Sequence, residues 1–186
     1  VGAFEGCCDL ESIIVEKGNC IYDSRENCNA IIETASNKLI AGCRNTRIPN
    51  SVIEIGECAF DGQYYLSSIT IPNSVNKIGE KAFYFCTELT SMSIPYSVSE
   101  IQERAFIGCK KLEYVTISNT ETKCHSEAFE ESTKIIRPTQ ELKSERNNYN
   151  WNYITNSGNR YGANSTNGEV IVPAKYTKVE YMPYYD

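Results

Sequence analysis

A cysteine beside the chain's single histidine, Cys124-His125, is the pairing most suggestive of catalysis. A thiol next to an imidazole could form a nucleophile and base, and the two could also contribute to a metal site. Adjacent residues on an extended chain point in different directions, however, which separates the two groups. Zinc needs about four ligands, supplied mostly by cysteine and histidine. The sequence has no CxxC pair, Cys7-Cys8 lacks ligand spacing, and one histidine leaves thiolates as the main ligand source. We therefore assign no metal and no cofactor. Carboxylates are abundant at Glu54, Glu57, Glu80, Glu100, Glu103, Glu127, Glu130 and Glu131. Glycoside hydrolysis requires two of them facing each other across about 5–9.5 Å. The sequence spacing instead places them mostly on an outward lateral surface, as solubilising charge. No catalytic residues are assigned, and the chain reads as a non-enzyme.

The elements that position these residues come from a repeat. Ala59-Phe60, Ala82-Phe83, Ala105-Phe106 and Ala128-Phe129 recur every 23 residues. Ile48-Pro49, Ile71-Pro72 and Ile94-Pro95 open successive units. Val52, Val75 and Val98 follow, then Ile55, Ile78 and Ile101, with Leu66, Leu89 and Leu112 near each unit's end. A fixed period of this size marks a solenoid whose coils cannot bury their apolar faces alone and must stack. Leu66–Ile71, Leu89–Ile94 and Leu112–Ile117 carry the period-2 spacing of a strand toward their ends. Proline at 72 and 95 would stop ladder pairing there. A second short strand is expected around Val75–Ile78 and Val98–Ile101, with little helix beyond a turn near each Ala-Phe. Strands one period apart would lie side by side in parallel, giving a β-rich solenoid of five to six 23-residue coils.

The stretch IPNSVNKIGEKAFYFCTELTSMSIP resembles the BspA-like leucine-rich repeat of surface proteins from oral and gut anaerobes and some mucosal protists. The resemblance covers residues 1–137. VGAFEGCCDLESIIV is the back half of another unit, and residues 15–48 resemble a longer variant coil. In that coil Asn29 to Cys43 reads as a hairpin turning near Ala35–Lys38. The resemblance implies a right-handed solenoid outside the cell, at the surface or secreted, that binds proteins or mediates adhesion. An extracellular protein such as a host matrix or surface protein would be the partner.

Composition fits that reading. A net charge of −6 and the lack of a basic stripe argue against nucleic acid. No apolar run approaches the ~18–20 residues of a membrane helix, so no membrane insertion is expected within this chain. Val1 falls inside a repeat, so the chain reads as a piece of a longer protein and its lack of a signal peptide gives no address. An uncapped first coil would favour self-association.

Nine cysteines are present. Cys7, Cys86 and Cys109 share one repeat position, filled by Gln63 and Ser132 elsewhere, which reads as a small buried residue in an internal ladder. Cys28 and Cys43 stand equidistant from the hairpin turn. That leaves two readings open, a disulfide or a pair of packed thiols.

The outward positions of the main sheet are Ser68, Thr70, Ser91, Ser93, Tyr114 and Thr116. This hydroxyl-rich face with one aromatic is the candidate binding surface, and Tyr114 is its expected anchor. Ile135 falls one period after Leu112, and Pro138 stands where Val115 predicts an inward residue. The regular repeat ends there. Residues 138–186 read as a short β-rich segment, a cap or a unit resembling a WG-type repeat. That resemblance is carried by Gly162, Gly168, Ile171, Pro173, Lys175, Tyr176 and Val179, with Tyr161 in place of the usual tryptophan. Asn167-Gly168 signals a hairpin. Trp151, Tyr153 and Tyr161 offer an alternative sugar-stacking surface for a glycan; cross-strand aromatic packing in a small β-unit is the favoured explanation of them. A spacer without any ligand is the third reading.

Overall fold

The computed structural model describes Phe4, residues 6–138, and the backbone of residues 152–156 and 160–164. The chain divides into two units, Val1–Pro138 and Thr139–Asp186. In the first, short strands follow one another in chain order: β1 (Tyr22–Asp23), β2 (Ala30–Glu33), β3 (Lys38–Gly42), β4 (Glu54–Ile55), β5 (Lys77–Ile78), β6 (Ser91–Ile94), β7 (Glu100–Ile101), β8 (Tyr114–Ile117), β9 (Lys123–Cys124) and β10 (Lys134–Ile136). The described helix content of this unit is one 3-10 turn, Arg25–Asn27. In the second unit β11 (Asn152–Asn156) and β12 (Arg160–Asn164) pair antiparallel.

The solenoid makes about four turns. Two sheets form its walls. One runs β1-β2-β3-β4-β5-β7-β9, with every pair from β3 onward parallel. The other is the parallel set β10-β8-β6. At the start, β2 and β3 form an antiparallel hairpin with β1 on its outer edge.

The strand expected over Leu66–Ile71 is not formed. Leu66 and Ile71 are buried and Ile69 packs against the core, so the alternation of faces survives. Only β6, β8 and β10 exchange ladder bonds in that sheet. Side-chain burial fixes which way residues face, whereas a strand also needs a partner backbone at ladder spacing.

The core is a set of columns one coil apart. Phe60, Phe83, Phe106 and Phe129 stack with ring centroids 5.0 Å apart and planes within 9°. That separation follows from the ladder itself, because parallel strands lie ≈ 4.7–4.9 Å apart and carry equivalent side chains with them. Alanine before each phenylalanine lets the backbone turn tightly under the ring: Phe60, Phe83 and Phe106 each donate their N–H to the alanine carbonyl of the next coil at 2.7–2.8 Å. Gly42 takes the same place in the first coil, donating to Ala59 at 2.8 Å, and a Cβ there would overlap the Phe60 ring. The aromatic column therefore begins at Phe60, seated on a bare backbone.

Two left-handed turns recur in each coil. Cys58, Lys81 and Arg104 form one row, with φ of 55°, 53° and 55°. Gly62, Phe85 and Gly108 form the other, at 70°, 56° and 82°. A side chain there costs of order 1 kcal/mol. Phe85 meets Tyr84 edge-on at 4.5 Å, a contact that offsets part of that strain.

Hydroxyls clasp neighbouring coils: Ser97 Oγ donates to the Val75 carbonyl and Thr122 Oγ1 to the Val98 carbonyl, both at 2.7 Å. The Cys86 and Cys109 thiols do the same toward the carbonyls of Phe60 and Phe83, at 3.3 and 3.1 Å. Gln63 at the same repeat position donates Nε2 to the Cys7 carbonyl at 3.2 Å. This position is thus a row of hydrogen-bond donors, more than the small hydrophobe its composition suggests. Burial pushes the Cys86 thiol well above its ordinary pKa. Cys7 itself is exposed.

Along the long sheet, Glu33, Lys38, Glu54, Lys77, Glu100 and Lys123 stand opposite one another in register. Charge alternates at every step, and Lys38 Nζ lies 2.8 Å from Glu54. Directly opposed like charges destabilise a sheet, and unlike ones stabilise it by a few tenths to about 1 kcal/mol per pair. Lys77→Glu would place three carboxylates in succession. We expect it to cost about 1–2 kcal/mol. In urea denaturation the midpoint should fall further for Lys77→Glu than for Lys77→Gln. Added salt should narrow that gap.

Candidate functional site

The β6-β8-β10 sheet carries three successive rows of residues, of which the first and third face outward. Ser91, Tyr114 and Lys134 form the first, and Ser93, Thr116 and Ile136 the third. Between them Met92 and Val115 point inward and are buried, while Ile135, paired with Val115, is 39% exposed. The alternation in each strand follows from the period of two. Ser68, Thr70, Ser91, Ser93, Tyr114 and Thr116 are all exposed, Tyr114 by 43%. Ser91, Ser93, Tyr114 and Thr116 thus lie on paired strands, while Ser68 and Thr70 lie on the unpaired stretch of the preceding coil.

The strand register corrects the sequence expectation at the last coil. Ile135 pairs with Val115, and it does not follow Leu112 in the ladder. The coil leading to β10 is three residues shorter than the period, so parallel pairing resumes early. A fixed repeat length cannot register a deletion inside a turn.

This shift brings in Lys134, and the same surface includes Lys110; the sequence reading missed both. Lys134 comes beside Tyr114, its Nζ 5.6 Å from the ring centroid, within cation–π range. Lys110 joins them around a shallow depression of about 210 Å³, lined also by Leu112, Glu113 and Ser132. Counting 20 residues from Tyr114 in place of 23 would have found Lys134.

The other candidates are not assembled into chemistry. Cys124 Sγ accepts a hydrogen bond from the Arg137 guanidinium at 3.1 Å. Burial raises its pKa while Arg137 opposes that shift. His125 faces elsewhere: its Nδ1 accepts from the Glu127 N–H at 3.2 Å, and Nε2 lies 3.9 Å from Glu103. The neighbours in sequence therefore serve different partners. A wider depression of about 570 Å³ beside them is lined by Glu80, Glu100, Glu103, Gln102, Lys123 and His125, among others. Among the described residues no group of three or more His, Cys, Asp or Glu is placed to hold a metal ion. No described helix is long and apolar enough to cross a membrane.

All nine cysteines are free thiols. Cys28 and Cys43 are both buried, and each sulfur is directed to a backbone carbonyl, Cys28 to Ala30 at 3.8 Å and Cys43 to Asn29 at 3.6 Å. Burial pushes the Cys28 thiol up. Of the aromatic alternative, Trp151 lies outside the described residues. Tyr153 and Tyr161 belong to β11 and β12, where Tyr153 pairs with Ala163 and Tyr161 with Thr155. Gly162 is also in β12; Asn167, Gly168, Ile171, Pro173, Lys175, Tyr176 and Val179 lie outside the described residues.

Comparison with known proteins places this geometry. No curated protein matches the chain significantly. Among solved structures it is similar to a leucine rich cell surface protein from Faecalibacterium prausnitzii A2-165, with a TM-score of 0.52 and 26% identity over 77% of this chain and 46% of that one. It also matches a T. pallidum leucine rich repeat protein, with a TM-score of 0.37 and 27% identity over 41% of this chain and 44% of that one. A third match is the pneumococcal vaccine antigen PcpA, with a TM-score of 0.42 and 16% identity over 73% of this chain and 47% of that one. The chain spans less than half the length of each. A model of the BspA type leucine rich repeat region matches residues 30–150 in six copies. With that match over more than half its length, and with stacked coils of about 23 residues carrying parallel strands, the chain belongs to the BspA type leucine-rich repeat family.

Proposed function

We propose that this chain is a non-enzymatic protein-binding module, displayed at the cell surface or secreted, that recognises an extracellular protein of a host or a neighbouring cell. The observation that carries this reading is the exposed, hydroxyl-lined face of β6, β8 and β10, with Tyr114 standing out from it. Stacked coils offer an extended surface over which weak contacts add. Tyrosine contributes area and a polar tip at low entropic cost, so it serves as the central anchor. Membership of a leucine-rich repeat family and likeness to a cell surface protein support the same reading. Adhesion to matrix or mucosal surface proteins is its specific form.

The test is a binding screen of the purified chain against immobilised matrix and mucosal proteins, alongside a glycan array. Tyr114→Ala should weaken protein binding about 5- to 30-fold, the effect of losing about 1–2 kcal/mol at an interface anchor. Trp151→Ala should leave it unchanged. Glycan binding lost in Trp151→Ala would move the function to the C-terminal unit. Absence of any binding would leave a spacer role.

A further inference from the structure

The depression beside Tyr114 carries a charge pattern at odds with the rest of the chain. The protein is acidic, at −6. Six of the thirteen lysines and arginines in residues 6–138, Arg25, Lys38, Arg44, Lys81, Arg104 and Lys111, each lie against a carboxylate. Lys110 and Lys134 form no such pair, yet they line the same depression as Tyr114. Glu113 is the single carboxylate among its lining residues, so two positive charges face one negative charge. The neighbouring Lys111 is held by Glu88 at 2.7 Å and adds no net field.

We propose that Lys110, Tyr114 and Lys134 form a carboxylate seat that receives an acidic side chain from an extended segment of the partner protein. This inference rests on the β6-β8-β10 face being the binding surface. The seat lies at one end of the Ser91–Tyr114–Lys134 row. An extended segment crossing that row would place a glutamate or aspartate between the two ammonium groups. Its neighbouring residues would meet the hydroxyls of Ser91, Ser93 and Thr116. Lys134 already lies over the ring, so binding recruits a charge whose position is partly fixed. Complementary charge of this kind sets partner choice and association rate.

The experiment uses the full chain and a fluorescein-labelled alternating Glu-Ser peptide, read by fluorescence anisotropy. An alternating Gln-Ser peptide and a heparin oligosaccharide run beside it. The Glu-Ser peptide should bind and the Gln-Ser peptide should not. Lys110→Gln and Lys134→Gln should each weaken binding about three- to five-fold, as expected for a part-exposed ion pair. Glu113→Gln should strengthen it by a similar factor, and the remote Lys17→Gln should leave it unchanged. Equal binding of the two peptides overturns the carboxylate seat, as does a Lys17→Gln loss matching that of Lys134→Gln. Tighter binding of the heparin oligosaccharide overturns the acidic protein segment in favour of an anionic glycan. Should peptide discrimination fail while Tyr114→Ala still weakens matrix-protein binding, the seat falls and the face stands. If Tyr114→Ala also changes nothing, both fall.

Discussion

Phe83→Ala is expected to cost about 3–5 kcal/mol, the range for emptying a fully packed aromatic site. Phe83 is fully buried and stacks on Phe60 above and Phe106 below, both at 5.0 Å. Removing it breaks two ring contacts and opens a void that the rigid ladder on either side cannot close. The midpoint of thermal unfolding should drop by roughly 6–20 °C, taking about 2–4 °C per kcal/mol for a chain of this size. Phe129→Ala makes a useful comparison, because Phe129 is half-buried with one described ring neighbour, Phe106. It should cost about 1–2 kcal/mol. Hydrogen exchange would separate the two: Phe83→Ala should lose protection in coils on both sides of the gap. Equal losses for both variants would show that the column is not a continuous core.

Gly42→Ala should cost about 3 kcal/mol, at the upper end of what overpacking a core exacts. The sign is the informative part. Gly42 lies in strand β3 without a positive φ, so its backbone is one that alanine can adopt. On chain entropy alone the change would stabilise by about 0.4–1 kcal/mol. The penalty comes from Phe60, whose ring occupies the space a methyl would take. That ring is fully buried and held by Phe83, so it has nowhere to swing. The double variant Gly42→Ala, Phe60→Leu should therefore be markedly less damaged than the sum of its parts, which equilibrium denaturation of the four proteins would measure. Strict additivity would mean that glycine is there for another reason.

The solenoid was legible because its physics repeats. Phenylalanine, isoleucine and leucine recur at one spacing, and a ladder of parallel strands must superpose whatever recurs. The short strands at Lys77–Ile78 and Glu100–Ile101 fall where the Val–Ile spacing predicts them. The missing strand at 66–71 shows the limit, since its apolar pattern marks burial and says nothing about partner backbone. Lys134 was hidden by a shortened turn, which shifts everything after it out of phase. The donor role shared by Gln63, Cys86 and Cys109 was hidden because amide and thiol look unrelated until both are seen reaching a carbonyl. The outward positions of the candidate face could be named from alternation alone, but their charged neighbours depend on three-dimensional register.

The alternating row from Glu33 to Lys123 bears on how such a molecule can grow. Repeat proteins lengthen and shorten when a stretch of gene encoding whole coils is copied or lost. Each coil here keeps nearly the same apolar residues, so copying one would leave the core intact. The outer row behaves differently, since copying one coil sets two carboxylates or two ammonium groups edge to edge, while copying two keeps the signs in order. By charge, the smallest block that could be copied without setting like charges side by side is thus a pair of coils, twice the length of the phenylalanine spacing.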